Sequence, residues 1–168
     1  MQTTRYIDGQ GIIVEIDESK FGKRKYNRGH RVEDAWVIGG VERTQRRLIF
    51  AEVVERRDAR TLLNVISRHV AAGSIVHTDL WRGYVSIEDE LDVQHFTVNH
   101  SINFVDPETG THTNTIEGTW NGMKLKISPR HRTQDGIQEN ILEFIWRRKH
   151  EENLWGGFID AMQKVHIE

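Results

Sequence analysis

The sequence predicts an α/β domain built on one five-stranded mixed sheet with helices on both faces. Three observations carry that expectation. Three apolar, β-branched runs lead the chain, and the second and third are joined only by the short polar link 42–46, which suits a hairpin. After them, segments of helical period alternate with two further strand-like runs, and helical segments close the chain. At 168 residues the chain is long enough for one domain with a substantial core and too short for two full ones.

The first strand is expected from about Gly11 to Glu18, followed by a long basic loop containing Gly22, Asn27 and Gly29. Residues 35–41 and 47–54 form the hairpin. Asp58 has the chemistry of an N-cap for a helix running to about Ala72, with Leu62, Val65, Ile66 and His69 or Val70 on its buried face and Gly73 just past its end. Ser74 to Asp79 reads as the fourth strand, Trp81 to Glu90 as a short helix, and Val93 to Val98 as the fifth strand. A polar loop, 99–113, leads to a helix from about Asn114 to Leu125. Residues 134–150 form a further helix with Ile137, Ile141, Leu142, Phe144 and Ile145 on its apolar side. The tail 153–165 adds a last one. This order is that of the ribonuclease H-like fold, in which the first and fourth strands lie side by side.

Composition narrows the function classes. No apolar stretch approaches the length of a membrane span, and the N-terminus lacks the apolar core of a signal peptide. There are no cysteines, so neither a disulfide nor a zinc ribbon is available within these residues. The net charge of -2 conceals a segregated basic run, Lys20, Lys23, Arg24, Lys25, Arg28 and Arg31, with no acidic residue among them. Such a run is either a solvated loop or a contact for a polyanion.

The chemistry is carried by three acids. Asp17 and Asp79 each end an apolar strand, and Glu117 opens a helix. Clustered carboxylates repel one another unless divalent cations compensate them, so their convergence implies Mg²⁺ or Mn²⁺. Each also has a plainer reading. Asp17 could start a turn, and Asp79 could cap the next helix. Asn114-Thr115-Ile116-Glu117 spells a capping box, in which the glutamate reaches back to the cap residue's N–H and turns away from a metal. Lys124 lies seven residues beyond Glu117 and therefore on nearly the same helix face, with Asn114 and the Trp120 indole along one stripe. The histidines offer no zinc-type spacing, although His112 precedes the Glu117 helix.

Several blocks then carry a resemblance. They are Val14-Glu15-Ile16-Asp17-Glu18-Ser19-Lys20-Phe21-Gly22 with the basic run to Gly29, Val37-Ile38-Gly39-Gly40-Val41-Glu42-Arg43, and Thr78-Asp79-Leu80-Trp81-Arg82-Gly83-Tyr84. With them go Val98-Asn99-His100-Ser101, Phe104-Val105-Asp106-Pro107 with Gly110, and His112-Thr113-Asn114-Thr115-Ile116-Glu117-Gly118-Thr119-Trp120 with Lys124. Over roughly Val14 to His150 the chain resembles the DDE transposase domain of Merlin-type elements, eukaryotic relatives of a group of bacterial insertion-sequence transposases.

The resemblance implies a ribonuclease H-like fold and catalytic Asp17, Asp79 and Glu117 holding two Mg²⁺ or Mn²⁺ ions. Asn114 stands as a substitute or helper for the third acid. It further implies hydrolysis and strand transfer at transposon ends, a homodimer on DNA, and Lys124 holding terminal DNA. The basic run, Lys20, Lys23, Arg24, Lys25 and Arg28, is expected on phosphates, which position DNA without reading its sequence. Localisation would be nuclear in a eukaryote, and cytoplasmic or nucleoid-associated in a bacterium. Family members usually carry an upstream DNA-binding region, whereas residues 1–168 are expected to be a single catalytic domain. The alternative is a catalytically inactive or domesticated transposon-derived DNA-binding module, and a third option is a nuclease of the same fold that never joins ends.

Overall fold

A computed structural model describes residues 7, 9–22, 34–134 and 136–164. The strands are β1 (Ile13–Phe21), β2 (Ala35–Glu42), β3 (Ile49–Val54), β4 (Ile75–Asp79) and β5 (Gln94–Val98). The helices are α1 (Ala59–His69), a single turn α2 (Ile87–Glu90), α3 (Asn114–Lys126), α4 (Ile137–Lys149) and α5 (Leu154–Lys164). Short 3₁₀ turns occupy Arg82–Tyr84 and Pro129–His131. Among the described residues no helix is long and apolar enough to cross a membrane.

The five strands form one mixed sheet in the order β3-β2-β1-β4-β5. β2 pairs antiparallel with β1 and with β3, the expected hairpin, while β4 lies parallel to both β1 and β5. Strand alternation sends Val14 and Ile16 to one face and Phe21, Val37 and Val41 to the other. On the first face they pack with Leu62, Val65 and Ile66 of α1. On the second they meet Ile116, Trp120 and Met123 of α3 and Ile137 and Ile141 of α4. Each fully buried aliphatic side chain contributes about 2 kcal/mol, so these two apolar layers hold α1 and α3 to opposite faces.

β1 extends further than expected. Glu18, Ser19 and Lys20 look like the end of a strand, yet the pairing with β2 continues to Phe21↔Ala35. Phe21 is fully buried and meets Trp120 edge-on at 6.0 Å, which accounts for the extra length. Asp17 therefore sits in mid-strand and starts no turn. The expected helix over 81–90 divides into the 3₁₀ turn and the single turn α2, and Leu142, expected on the buried side of α4, is 51% exposed. Asp58 caps α1 as expected, accepting the Thr61 N–H at 3.0 Å.

β2 carries two adjacent glycines, each of which admits a ring. A Cβ on Gly39 would lie 2.6 Å from the Trp120 ring, and one on Gly40 would lie 2.4 Å from the Phe50 ring on the opposite face. The Trp120 indole lies over Gly39 and so reaches Asp17, the register partner of Gly39 on β1.

Candidate active site

β1 and β4 pair through Glu15↔His77, two residues before each aspartate. Two residues advance each strand by about 6.6 Å and return the side chain to the same face. Asp17 and Asp79 therefore stand abreast on the face that carries α3. Asp17 accepts the Trp120 indole N–H on Oδ2 at 3.0 Å, and Asp79 accepts the backbone N–H of Trp81 on Oδ1 at 3.0 Å. Asp79 is not a helix cap, because the 3₁₀ turn begins beyond it with Trp81 in the cap position.

The donors named here are neutral, and the electrostatics reflect that. Burial, then the charge of neighbouring Glu18, push the Asp17 carboxyl up to about 7, and the charge of Asp79 adds to the rise. The Trp120 indole and the Glu18 backbone N–H oppose it only in part.

Glu117 lies on α3 with its side chain half exposed, its Oε1 3.3 Å from Thr113 Oγ1 and 3.5 Å from His100 Nε2. The capping-box expectation fails here. The cap position is Thr113, one residue earlier than the box requires. The orphan N–H groups of Thr115 and Ile116 instead donate to Oε2 of Glu15, at 2.8 and 3.0 Å. Glu15 comes from β1 and is fully buried, and its Oε1 accepts from Arg43 Nε at 2.5 Å. Glu15 thus takes the part of a cap side chain, while the Asn114 N–H that the glutamate was expected to accept points to His112 Nδ1 at 3.4 Å, so the Glu117 carboxylate is not spent on its own helix's N–H groups.

Asn114 is the exposed first residue of α3, one turn before Glu117. The expected polar stripe divides: Trp120 belongs to the buried face with Ile116 and Met123. Lys124 turns to the sheet, donating to Ser19 Oγ at 2.7 Å and lying 5.2 Å from the centre of the Phe21 ring. Burial and the nearby charge of Arg132 lower its pKa, while Asp17 opposes the shift. Lys20, on the strand face opposite Asp17, pairs with Asp34 at 2.7 Å. Lys23, Arg24, Lys25 and Arg28 lie outside the described residues.

Residues 6–148 match the family model of the ISXO2-like transposase domain. The chain belongs to this family. A transposase-like protein of Haemophilus influenzae is 36% identical over 79 residues, a match spanning 47% of this chain and 62% of that relative. Among solved structures, a chain of the simian T-cell lymphotropic virus intasome in complex with PP2A regulatory subunit B56 gamma superposes with a TM-score of 0.53 at 15% identity. That alignment covers 82% of this chain and 48% of the other, and it supports the ribonuclease H-like fold. A chain of a pre-cleavage Mos1 transpososome aligns at a TM-score of 0.33 and 10% identity, covering 98% of this chain and 57% of that one.

In this transposase domain the donor chemistry suits a hard divalent cation at Asp17 and Asp79, two crowded carboxylates of which one is held protonated to about pH 7. Among the described residues, however, no three histidine or carboxylate side chains gather closely enough to hold a metal ion. The Glu117 carboxylate is engaged instead with His100 and Thr113.

Two further networks brace the site, and neither was picked out from the sequence. One is the Glu15–Arg43 pair, joined by His112, whose Nδ1 lies 3.3 Å from Glu15 Oε1. Burial and the Arg43 charge push neighbouring His77 down to about 4, so it is neutral in this cluster. The other lies on the opposite sheet face. Glu18 is nearly fully buried, bonded by Arg57 Nε at 2.6 Å and by the Tyr84 hydroxyl. The Arg57 guanidinium sits between the Trp36 and Trp81 rings, 4.9 and 4.2 Å from their centres. The available signal was a carboxylate inside an apolar strand, which has to find a partner when it is buried.

The raised Asp17 pKa sets a pH dependence. In the unfolded chain this carboxyl titrates near 4, about three units lower than in the fold. Between those values the folded state keeps a proton that the unfolded state has released, so folding stability falls as pH rises. The stabilising contribution is complete below about pH 4 and lost through about pH 7. The metal-free domain is therefore expected to lose more melting temperature between pH 5 and pH 7.5 than Asp17→Asn does. Parallel melting curves for the two proteins would contradict the assignment.

Proposed function

We propose that this chain is the catalytic domain of a DNA transposase, of the Merlin type within its broader family. In this reading it carries out metal-dependent phosphodiester hydrolysis and strand transfer at transposon ends. The observation that carries it is the side-by-side placement of Asp17 and Asp79 on the face covered by α3. Asp17, Asp79 and Glu117 would hold Mg²⁺ or Mn²⁺, with Asn114 as the alternative third residue. When bound, the cations supply Lewis-acid activation of the attacking oxygen and stabilisation of the departing one.

The chain's own residues do the rest. The Trp120 indole N–H fixes one carboxylate oxygen of Asp17, and the Trp81 N–H fixes one of Asp79, so both acids keep a set orientation before any ligand arrives. Glu117 joins them by rotating a half-exposed side chain, a small cost set by rotamer preference. Its position on the helix supports it over Asn114. Trp120 is level with Asp17; Glu117 lies three residues before it, about 4.5 Å along the axis, and Asn114 six, about 9 Å. Lys124 exchanges Ser19 for a DNA phosphate, and the basic run beyond Phe21 adds further phosphate contacts, with a homodimer bringing two ends together. Binding through such contacts weakens steeply as salt rises.

The test is a supercoiled plasmid incubated with the protein and with Mg²⁺, Mn²⁺ or Ca²⁺. Nicked and joined products with Mg²⁺ or Mn²⁺, abolished by a chelator, are the expected result. Salt-sensitive DNA binding without any product would instead support a domesticated binding module. Nicking without joined products would indicate a nuclease of the same fold.

A further inference from the structure

α3 runs along β1 with matched steps. Glu15, Asp17 and Ser19 are successive residues on one face of the strand, about 6.6 Å apart. Ile116, Trp120 and Lys124 are four residues apart on the helix, a spacing of about 6 Å. Each helix position meets its strand counterpart: the Ile116 N–H on Glu15, the Trp120 indole on Asp17, the Lys124 ammonium on Ser19.

The first of these contacts differs from the others. Trp120 and Lys124 reach the strand through their side chains, several bonds out from the helix backbone. Glu15 grips the backbone itself, with two consecutive N–H groups converging on one carboxylate oxygen. That fixes both the rotation and the axial position of the first turn, and Glu117 is the next residue along. The grip is charge-assisted and places a negative charge at the positive end of the helix dipole. Arg43 makes it affordable in a fully buried position by pairing with the other oxygen, and its second contact, Nη2 to the His112 carbonyl at 2.8 Å, ties in the chain entering the helix. At the opposite end, Arg132 donates to the carbonyls of Lys124 and Ile127.

We propose that Glu15 is a positioning residue for the active site: by clamping the first turn of α3 to β1, it sets where Glu117 stands relative to Asp17 and Asp79. The inference rests on the reading of those three acids as the metal-binding set. Glu15→Leu removes the clamp, and Glu15→Gln keeps one weaker acceptor. In the metal-free protein, amide hydrogen exchange at Thr115 and Ile116 is expected to quicken at least tenfold in Glu15→Leu and by less in Glu15→Gln, with amides of β2 and α4 unchanged. Mn²⁺ affinity, measured by calorimetry, should fall in the same order, by at least tenfold for Glu15→Leu. Should the single variant fail to fold, Glu15→Leu/Arg43→Leu removes both buried charges together and carries the same measurements. Unchanged exchange overturns the clamp. Faster exchange with unchanged Mn²⁺ affinity overturns the positioning role. A wild-type protein that binds no Mn²⁺ overturns the three-acid reading, whatever the exchange rates show.

Discussion

Asp17→Asn is expected to lower metal-dependent nicking and joining by about 10³-fold or more, equivalent to about 4 kcal/mol of transition-state stabilisation, while leaving the melting temperature equal or higher. The two halves of this result come from one cause. Asparagine keeps the shape of the side chain and an oxygen for the Trp120 indole, so the packing around it persists. It removes the negative charge that burial, Glu18 and Asp79 all disfavour, so the fold loses nothing at neutral pH. An acid kept for structure would behave in the opposite way, losing stability with its charge and little activity. Plasmid cleavage and thermal melting on the same preparation separate the two. Retained activity, or a melting point several degrees below wild type, would remove Asp17 from the site.

Arg57→Ala is expected to destabilise the domain by about 3 kcal/mol, the largest stability effect anticipated for a single polar side chain here. Glu18 is nearly fully buried, and Arg57 is its charged partner. Losing one member of a buried pair costs about 3–5 kcal/mol, and stacking between two indoles adds to the loss. The Tyr84 hydroxyl still donates to Glu18, which puts the expected value at the lower end. Denaturant unfolding measures it directly, and a loss below about 1 kcal/mol would show that water compensates Glu18. Activity should fall as well. Glu18 follows Asp17, while Trp81 and Tyr84 follow Asp79, so this network joins the two strand segments that present the acids.

The strand order, the hairpin, the Asp58 cap and the juxtaposition of Asp17 with Asp79 were legible in the sequence because each rests on local pattern plus chain connectivity. Periodicity gave the strands, and the parallel β1–β4 pairing follows from the fold order. What escaped were features decided by contacts distant in sequence. β1 continues through three polar residues because Phe21 has Trp120 to pack against, and Trp120 is far along the chain. The capping box at Asn114–Glu117 was a sound local reading, displaced by a carboxylate lying about a hundred residues upstream. A local motif proposes a partner for each orphan N–H, and a buried charge with nowhere else to go can outbid it. Lys124 shows the same limit, since helical spacing gave its face but not that Ser19 would hold it.

The matched steps of β1 and α3 divide the chain into lengths that can vary and lengths that cannot. One residue inserted between Ile116 and Lys124 would turn the remaining helix by about 100° and take Trp120 or Lys124 off its strand partner. The same insertion in β1 between Glu15 and Ser19 would reverse the side-chain faces beyond it. The loop 99–113 bears no such constraint between its two anchored ends, and lengthening it costs only slowly growing closure entropy. The interval in sequence from Asp79 to Glu117 is therefore the elastic part of the design. In other chains built this way, the residue matching Glu117 is better sought by its fixed offset from the indole that follows it than by its distance from the second aspartate.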